Sequence, residues 1–155
     1  MSQFRTIHTL YGLEAMAQAE AAGTSINLTH MAVGDGGGTQ VSPLDTQENL
    51  VRELFRAPVN RVFQDPSTPN RFTAELVIPV SQGGFVLREV GIFDANGSLF
   101  GVGNLPETYK PTIAEGAFAD TVVRMDFLVS NVGVVAIQID PNVAVATQTW
   151  ISNNI

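Results

Sequence analysis

A chain of 155 residues with 45% hydrophobic content is one ordinary domain, and at that size folding buries roughly 68–70% of the unfolded surface, enough for a core without staples. The absence of cysteine excludes a disulfide framework, a cysteine nucleophile and a thiolate zinc site. Eight Lys and Arg against 15 Asp and Glu leave a net charge of −7, and the scattered cations (Arg5, Arg52, Arg56, Arg61, Arg71, Arg88, Lys110, Arg124) form no patch for nucleic acid.

Charged residues make up 15% of the chain, against about 25% in ordinary soluble domains. Two readings account for this: a polar surface rich in Thr, Asn, Gln and Ser, or a surface partly buried against other subunits. No stretch reaches the ~20 apolar residues of a membrane span. The opening MSQFRTIHTL has no long apolar run, so synthesis and assembly in the cytoplasm, with no membrane partner, are expected.

In chain order, the first element is a helix from Thr9 to Gly23. Thr9 is placed to cap it, LYGLEAMAQAEAA is rich in helix formers, and Gly23 stands where a C-terminal stop belongs. Leu10, Leu13, Ala17 and Ala21 recur at spacings of three and four and are expected to pack on a sheet. Ile26 to Val33 reads as a strand. Gly34-Asp35-Gly36-Gly37-Gly38-Thr39 follows, a turn needing positive φ or close backbone approach. Leu44 to Arg52 has the makings of a short helix capped at Asp45 or Thr46.

From Arg56 the pattern turns to strands. Val59 to Phe63 leads through the turn-rich Asp65–Asn70 into Arg71–Pro79, where Phe72, Ala74, Leu76 and Ile78 alternate with Thr73, Glu75 and Val77. Phe85 to Phe93 is another strand, and in Asp94-Ala95-Asn96-Gly97 the Asn96-Gly97 pair supplies the positive φ values of a hairpin. Ser98 to Gly103 returns, and Pro106 to Gly116 is expected to be a loop carrying Tyr109, Lys110 and Pro111. Ala119 to Val129 alternates again, Asn131-Val132-Gly133 turns, and Val134 to Ile139 is expected to pair back. The end, Ala146 to Ile155, reads as a short helix capped at Thr147 with Trp150, Ile151 and Ile155 giving it an apolar stripe. The expected fold class is therefore mainly β (α+β): an antiparallel sheet or sandwich with an N-terminal helix and a short C-terminal helix. One domain covers residues 1–145, and residues 146–155 begin a helix leading to a shaft or partner.

No catalytic constellation emerges. GDGGGT lacks the Lys-Ser/Thr of a phosphate loop and the spacing of a dinucleotide fingerprint, so Gly34, Asp35, Gly36, Gly37 and Gly38 read as a structural turn, as do Asn96 and Gly97. His8 and His30 lie far apart with no nearby ligand pair, which predicts no metal and no cofactor. No Gly-x-Ser-x-Gly elbow occurs, and the pairs Glu14/Glu20, Glu48/Glu53 and Asp120/Asp126 read as solvated carboxylates. Arg88 and Glu89 are neighbours in a strand, so they point to opposite faces and one of them meets a core or an interface.

Met31-Ala32-Val33-Gly34-Asp35-Gly36-Gly37-Gly38, Ala74 to Pro79, Gly83 to Asp94, Tyr109-Lys110-Pro111 and Ala146-Thr147-Gln148 occur together in this order. Each is weak alone; together they resemble the phage tail-collar fibre family, the N-terminal domain of tail fibres in contractile-tailed phages and R-type pyocins. The resemblance covers almost the whole chain. It implies a non-enzymatic virion tail component in which a homotrimeric fibre is anchored to a baseplate protein, with receptor binding at a distant C-terminal tip. This sequence stops at Ile155, where longer relatives continue into the shaft. That leaves a stand-alone adaptor recruiting a longer fibre or shaft protein, or the head of a longer chain. The residues expected to face partners are Trp150, Ile151 and Ile155, with Tyr109 and Lys110. The alternative is a β module binding a small ligand or glycan between the glycine loop and the Tyr109 loop; Trp150 and two tyrosines are a thin aromatic supply for it.

Overall fold

The computed structural model describes residues 5–116, 119–129 and 138–139. The expected terminal helix with Trp150, Ile151 and Ile155, and the turn at Asn131–Gly133, lie outside the described residues. A short strand absent from the sequence reading, β1 (Thr6–His8), precedes helix α1 (Leu10–Ala22). Thr9 caps that helix: its hydroxyl oxygen accepts from Gly12 N–H at 3.0 Å while its O–H donates to the Leu99 carbonyl at 2.6 Å. Gly23, at φ 69°, ends the helix in the left-handed conformation.

The helix rests on its other face. Gly12, Met16 and Ala19 are buried, whereas Leu10 and Leu13 are 53% and 48% exposed and Ala17 and Ala21 face solvent. The reason is contact distance. A Cβ on Gly12 would stand 2.1 Å from the Phe100 carbonyl oxygen, so only a glycine lets the helix lie this close to the sheet. Leucines on that face would hold it away.

Among the described residues every strand pair is antiparallel. Strands β2 (Leu28–Gly34), β3 (Glu53–Pro58), β6 (Phe85–Asp94) and β7 (Leu99–Lys110) join β1 in a five-stranded sheet of order β1-β7-β6-β2-β3. Strands β4 (Arg61–Gln64), β5 (Arg71–Ile78), β8 (Thr121–Leu128) and β9 (Gln138–Ile139) form a four-stranded sheet of order β8-β5-β4-β9. The two sheets and α1 share one core: Met31, Val33, Ile92 and Phe100 from the first sheet, Phe72, Leu76, Ile78, Met125 and Phe127 from the second, and Met16 from the helix. Of the period-two faces expected, Phe72, Ala74, Leu76 and Ile78 are buried, but so are Thr73 and Glu75 on the other side of β5; over Ala119–Val129 the expected face is buried from Val123 to Val129, while Ala119 is exposed and Thr121 half-buried. A smaller cluster of Ala32, Leu50, Phe93, Leu99 and Val102 covers the opposite face of the five-stranded sheet.

Four local expectations are corrected. Leu44–Arg52 forms turns rather than a helix, because the amides of Val51 and Arg52 donate to the Glu89 carboxylate instead of to carbonyls one turn back. The hairpin after β6 has one positive φ, at Gly97 (77°), and none at Asn96. Asp94 closes it by accepting from the N–H groups of Asn96 and Ser98. Residues 106–110 continue β7 rather than starting a loop: register shifts between Leu87 and Glu89, opposite Thr108 and Asn104, and that bulge accommodates Pro106, which lacks a ladder donor. Finally, Gln138–Ile139 pairs with β4, through Arg61 and Val62, not with β8.

Candidate functional site

The glycine turn is built around a buried anion that belongs to the protein itself. Gly34 ends β2 so close to its neighbours that a Cβ would lie 2.0 Å from Arg52 O and 2.6 Å from a Glu89 oxygen. Gly36, Gly37 and Gly38 follow with φ of 67°, 75° and 99°, a left-handed run that side chains disfavour. Glu89, fully buried on β6, accepts from Gly36 N–H at 3.1 Å and from the N–H groups of Val51 and Arg52 at 2.8 Å. The N–H of Gly37 donates to the Asp35 carboxylate at 2.9 Å, and that of Gly38 to the Asp35 carbonyl at 3.2 Å. The amides that could cradle a phosphate are thus already bonded to protein oxygens. Of the neighbours Arg88 and Glu89, the glutamate is the inward one.

Beside this turn lies an open groove of about 540 Å³ lined by Asp35, Arg52, Arg88, Tyr109 and the segment from Gln82 to Val86. The fold therefore brings the glycine turn and Tyr109 together. Asn96 and Gly97 sit at the other end of β6, where Asn96 donates to the Tyr11 hydroxyl. The charged groups of the groove are paired: Arg52 with Asp35 at 3.7 Å, and Arg88 with Glu107 at 3.0 Å and with the Asp35 carbonyl at 2.9 Å. Tyr109 is 49% exposed and donates to both oxygens of Glu115, at 2.7 and 2.9 Å. That bond to Glu115 raises the phenol's pKa above its ordinary value. The Glu115 carboxyl is held below its own, first by the Thr112 amide and then by Tyr109 and the Thr112 hydroxyl. Lys110 is a correction to the expected contact residues: at 1% exposure it is enclosed by the fold, its ammonium donating to Pro111 O at 3.4 Å.

A second polar cluster lies on the four-stranded sheet. Glu75 accepts from Asn60, Arg61 and Arg124; burial works to raise its pKa, and the bonds from Arg61, Asn60 and Arg124 outweigh it and leave it lowered. No group of three or more potential metal ligands occurs among the described residues. No described helix is long and apolar enough to cross a membrane.

Two features escaped the sequence reading. One is the outward leucine face of α1. The other is the setting of His8, read from sequence only as no metal ligand: its ring is edge-on to Phe100 and Phe127 at 5.2 and 6.1 Å while Nε2 meets the Leu128 carbonyl at 2.6 Å. Strand alternation at Arg88 and Glu89 is the sequence signal that one of the two points inward, without saying which.

A two-sheet domain whose buried carboxylates organise turns and strands, and whose apolar side chains partly face outward, is the kind of part that builds an assembly. The chain belongs to the phage tail-collar fibre family: the family model for the N-terminal part of phage tail-collar fibre proteins matches residues 1–149. Over 154 residues it is 41% identical to the probable tail fiber protein of Escherichia phage P2, in an alignment taking in 99% of this chain and 23% of that relative. The chain thus spans less than a quarter of the length of the curated relative it matches. No solved structure matches it. It is a tail-fibre domain, a component of the virion tail.

Proposed function

We propose that residues 1–145 are the attachment domain that anchors a homotrimeric receptor-binding fibre to the baseplate of a contractile tail, with residues 146–155 leading into the shaft or onto a partner. The observation that carries this is coverage: nearly all of this chain corresponds to 23% of a tail fibre protein, and the matching family is defined as the N-terminal part. The remaining length of such a protein is free to form shaft and tip. The domain acts without catalysis. In support, its carboxylates serve structure: Glu89 holds two loops, Glu75 ties Arg61 and Arg124, and Asp65 caps the turn at Ser67 and Thr68.

The test is particle assembly. Deleting residues 1–145 from the fibre is expected to leave tails with no fibre, by electron microscopy and mass spectrometry, while the excised fibre remains a trimer. Fibres that still mount normally without the domain would falsify the attachment role. A saturable rate in a hydrolase screen, abolished by one point substitution, would overturn the non-enzymatic role.

A second reading, a small-ligand or glycan module, draws on the groove that unites Asp35 and Tyr109. Its charged and hydroxyl groups bond to one another, which favours the structural role. A thermal shift with a glycan panel decides: stabilisation lost in Tyr109→Ala supports the second reading.

A further inference from the structure

We propose that the outward face of α1, together with Leu44, is a docking surface for another protein. Its occupant is a segment with an aliphatic stripe and Lys or Arg along its margins. Leu10, Leu13 and Leu44 are 53%, 48% and 59% exposed, and Ala17 and Ala21 continue the strip along about 16 Å of helix. Single exposed leucines are ordinary, but exposed apolar side chains gathered on one face are what interaction sites present. The strip is also fixed in place before any partner arrives. Thr9 caps the helix and bonds to Leu99, Gly12 seats it against Phe100, and Leu10 N–H donates to Asp45 O at 2.8 Å, pinning Leu44 beside the first turn. Such preorganisation lowers the entropic cost of binding.

Charge selects the occupant. Glu14 and Asp45 flank the leucines in sequence, and no Lys or Arg occurs from Thr9 to Leu50. Two copies meeting through this face would set acid against acid. The chain's own last stretch, residues 130–155, offers Trp150, Ile151 and Ile155 but no Lys or Arg, so it lacks the complementary charge. A foreign apolar segment with basic margins satisfies both requirements. That the partner is a tail protein rests on the attachment role proposed above; the surface and its chemistry do not.

The experiment uses the full fibre in assembled tails, with a photo-reactive benzoylphenylalanine at Leu13 and, as a control, at exposed Thr68. Ultraviolet cross-linking and peptide mapping are expected to give a product from Leu13 alone, joined to a different protein at an apolar stretch flanked by Lys or Arg. A product with a second copy, with residues 146–155, or with a non-basic segment overturns the proposal, as does no product above the control. In parallel, Leu10→Ser with Leu13→Ser is expected to leave the domain folded with a melting temperature lowered by only about a few degrees, because both side chains are half exposed. It is expected to reduce incorporation by about tenfold or more, from lost apolar burial. Glu14→Lys is expected to reduce incorporation as well. Normal incorporation of these variants, with the domain deletion still blocking it, sinks the strip and leaves the attachment role standing. If the deletion too incorporates normally, the attachment role fails and the cross-link from Leu13 decides the surface independently.

Discussion

Glu89 supplies from inside the fold the acceptor for three backbone amides, those of Gly36, Val51 and Arg52. Replacing it with Gln removes an acceptor and sets an NH2 against backbone N–H groups. Hydrogen bonds to charged groups contribute about 1.5–3 kcal/mol each, and Glu89→Gln is expected to lose at least one of them in chemical denaturation; a change near zero would show that the turn does not depend on the charge. His8 carries a pH dependence. Burial lowers its pKa below the ordinary 6.5, with the Leu128 carbonyl acting the other way. As pH falls, the unfolded chain takes up the proton first. The contribution is therefore complete above about 6.5 and is lost as pH drops from there toward the lowered native value. Denaturation curves between pH 7 and 5 are expected to show this slope, and His8→Phe to flatten it. Glu75, lowered in the fold, acts in a separate window, its contribution present above the ordinary carboxyl range and lost on further acidification.

At the scale of elements, the helix–sheet contact reverses a familiar rule. In an exposed helix, Gly→Ala adds about 1 kcal/mol of stability. At Gly12 the new methyl would meet the Phe100 carbonyl at 2.1 Å, and relieving that overlap costs typically 1–3 kcal/mol. Gly12→Ala is thus expected to lower the melting temperature; an increase would mean the helix is free to lift. In the shared core, Leu76 on β5 and Phe127 on β8, neighbouring strands of the four-stranded sheet, are 0% and 5% exposed. Leu76→Ala and Phe127→Ala are each expected to cost ~2–5 kcal/mol, and losses under about half a kcal/mol, ordinary for a surface site, would place these strands the other way round.

For the whole molecule, the question is how a domain with 15% charged residues stays ordered in a tail. The attachment role proposed above would answer it with partners: neighbouring tail proteins, and two further copies in a trimer that we propose is seeded by Trp150, Ile151 and Ile155. Trp150→Ala with Ile151→Ser in the full fibre is expected to reduce the trimer fraction by native mass; an unchanged trimer would remove those residues from the assembly contact.

Local chemistry and alternation made much of this legible in advance. Thr9 and Gly23 bound the helix because caps are decided by a residue's own side chain and φ. Val123–Val129 declared its buried face because a strand half-covered by a core must alternate, whereas at Phe72–Ile78 the alternation named the core face but not the burial of Thr73 and Glu75 behind it. The five ordered motifs from Met31 to Gln148 were enough for the family. What they could not carry was any property set by a distant backbone. Gly12 faces the core because Phe100 stands opposite it, 88 residues away in sequence. Leu44–Arg52 is not helical because a glutamate from another strand claims its amides. Pro106 remains in a strand because a bulge opens across from it, and Lys110 is buried although its neighbours read as loop. Hydrophobic period identifies a helix and offers it a face, but which face is buried depends on how near the next backbone comes. On this helix that distance admitted glycine, alanine and methionine, and left the leucines outside.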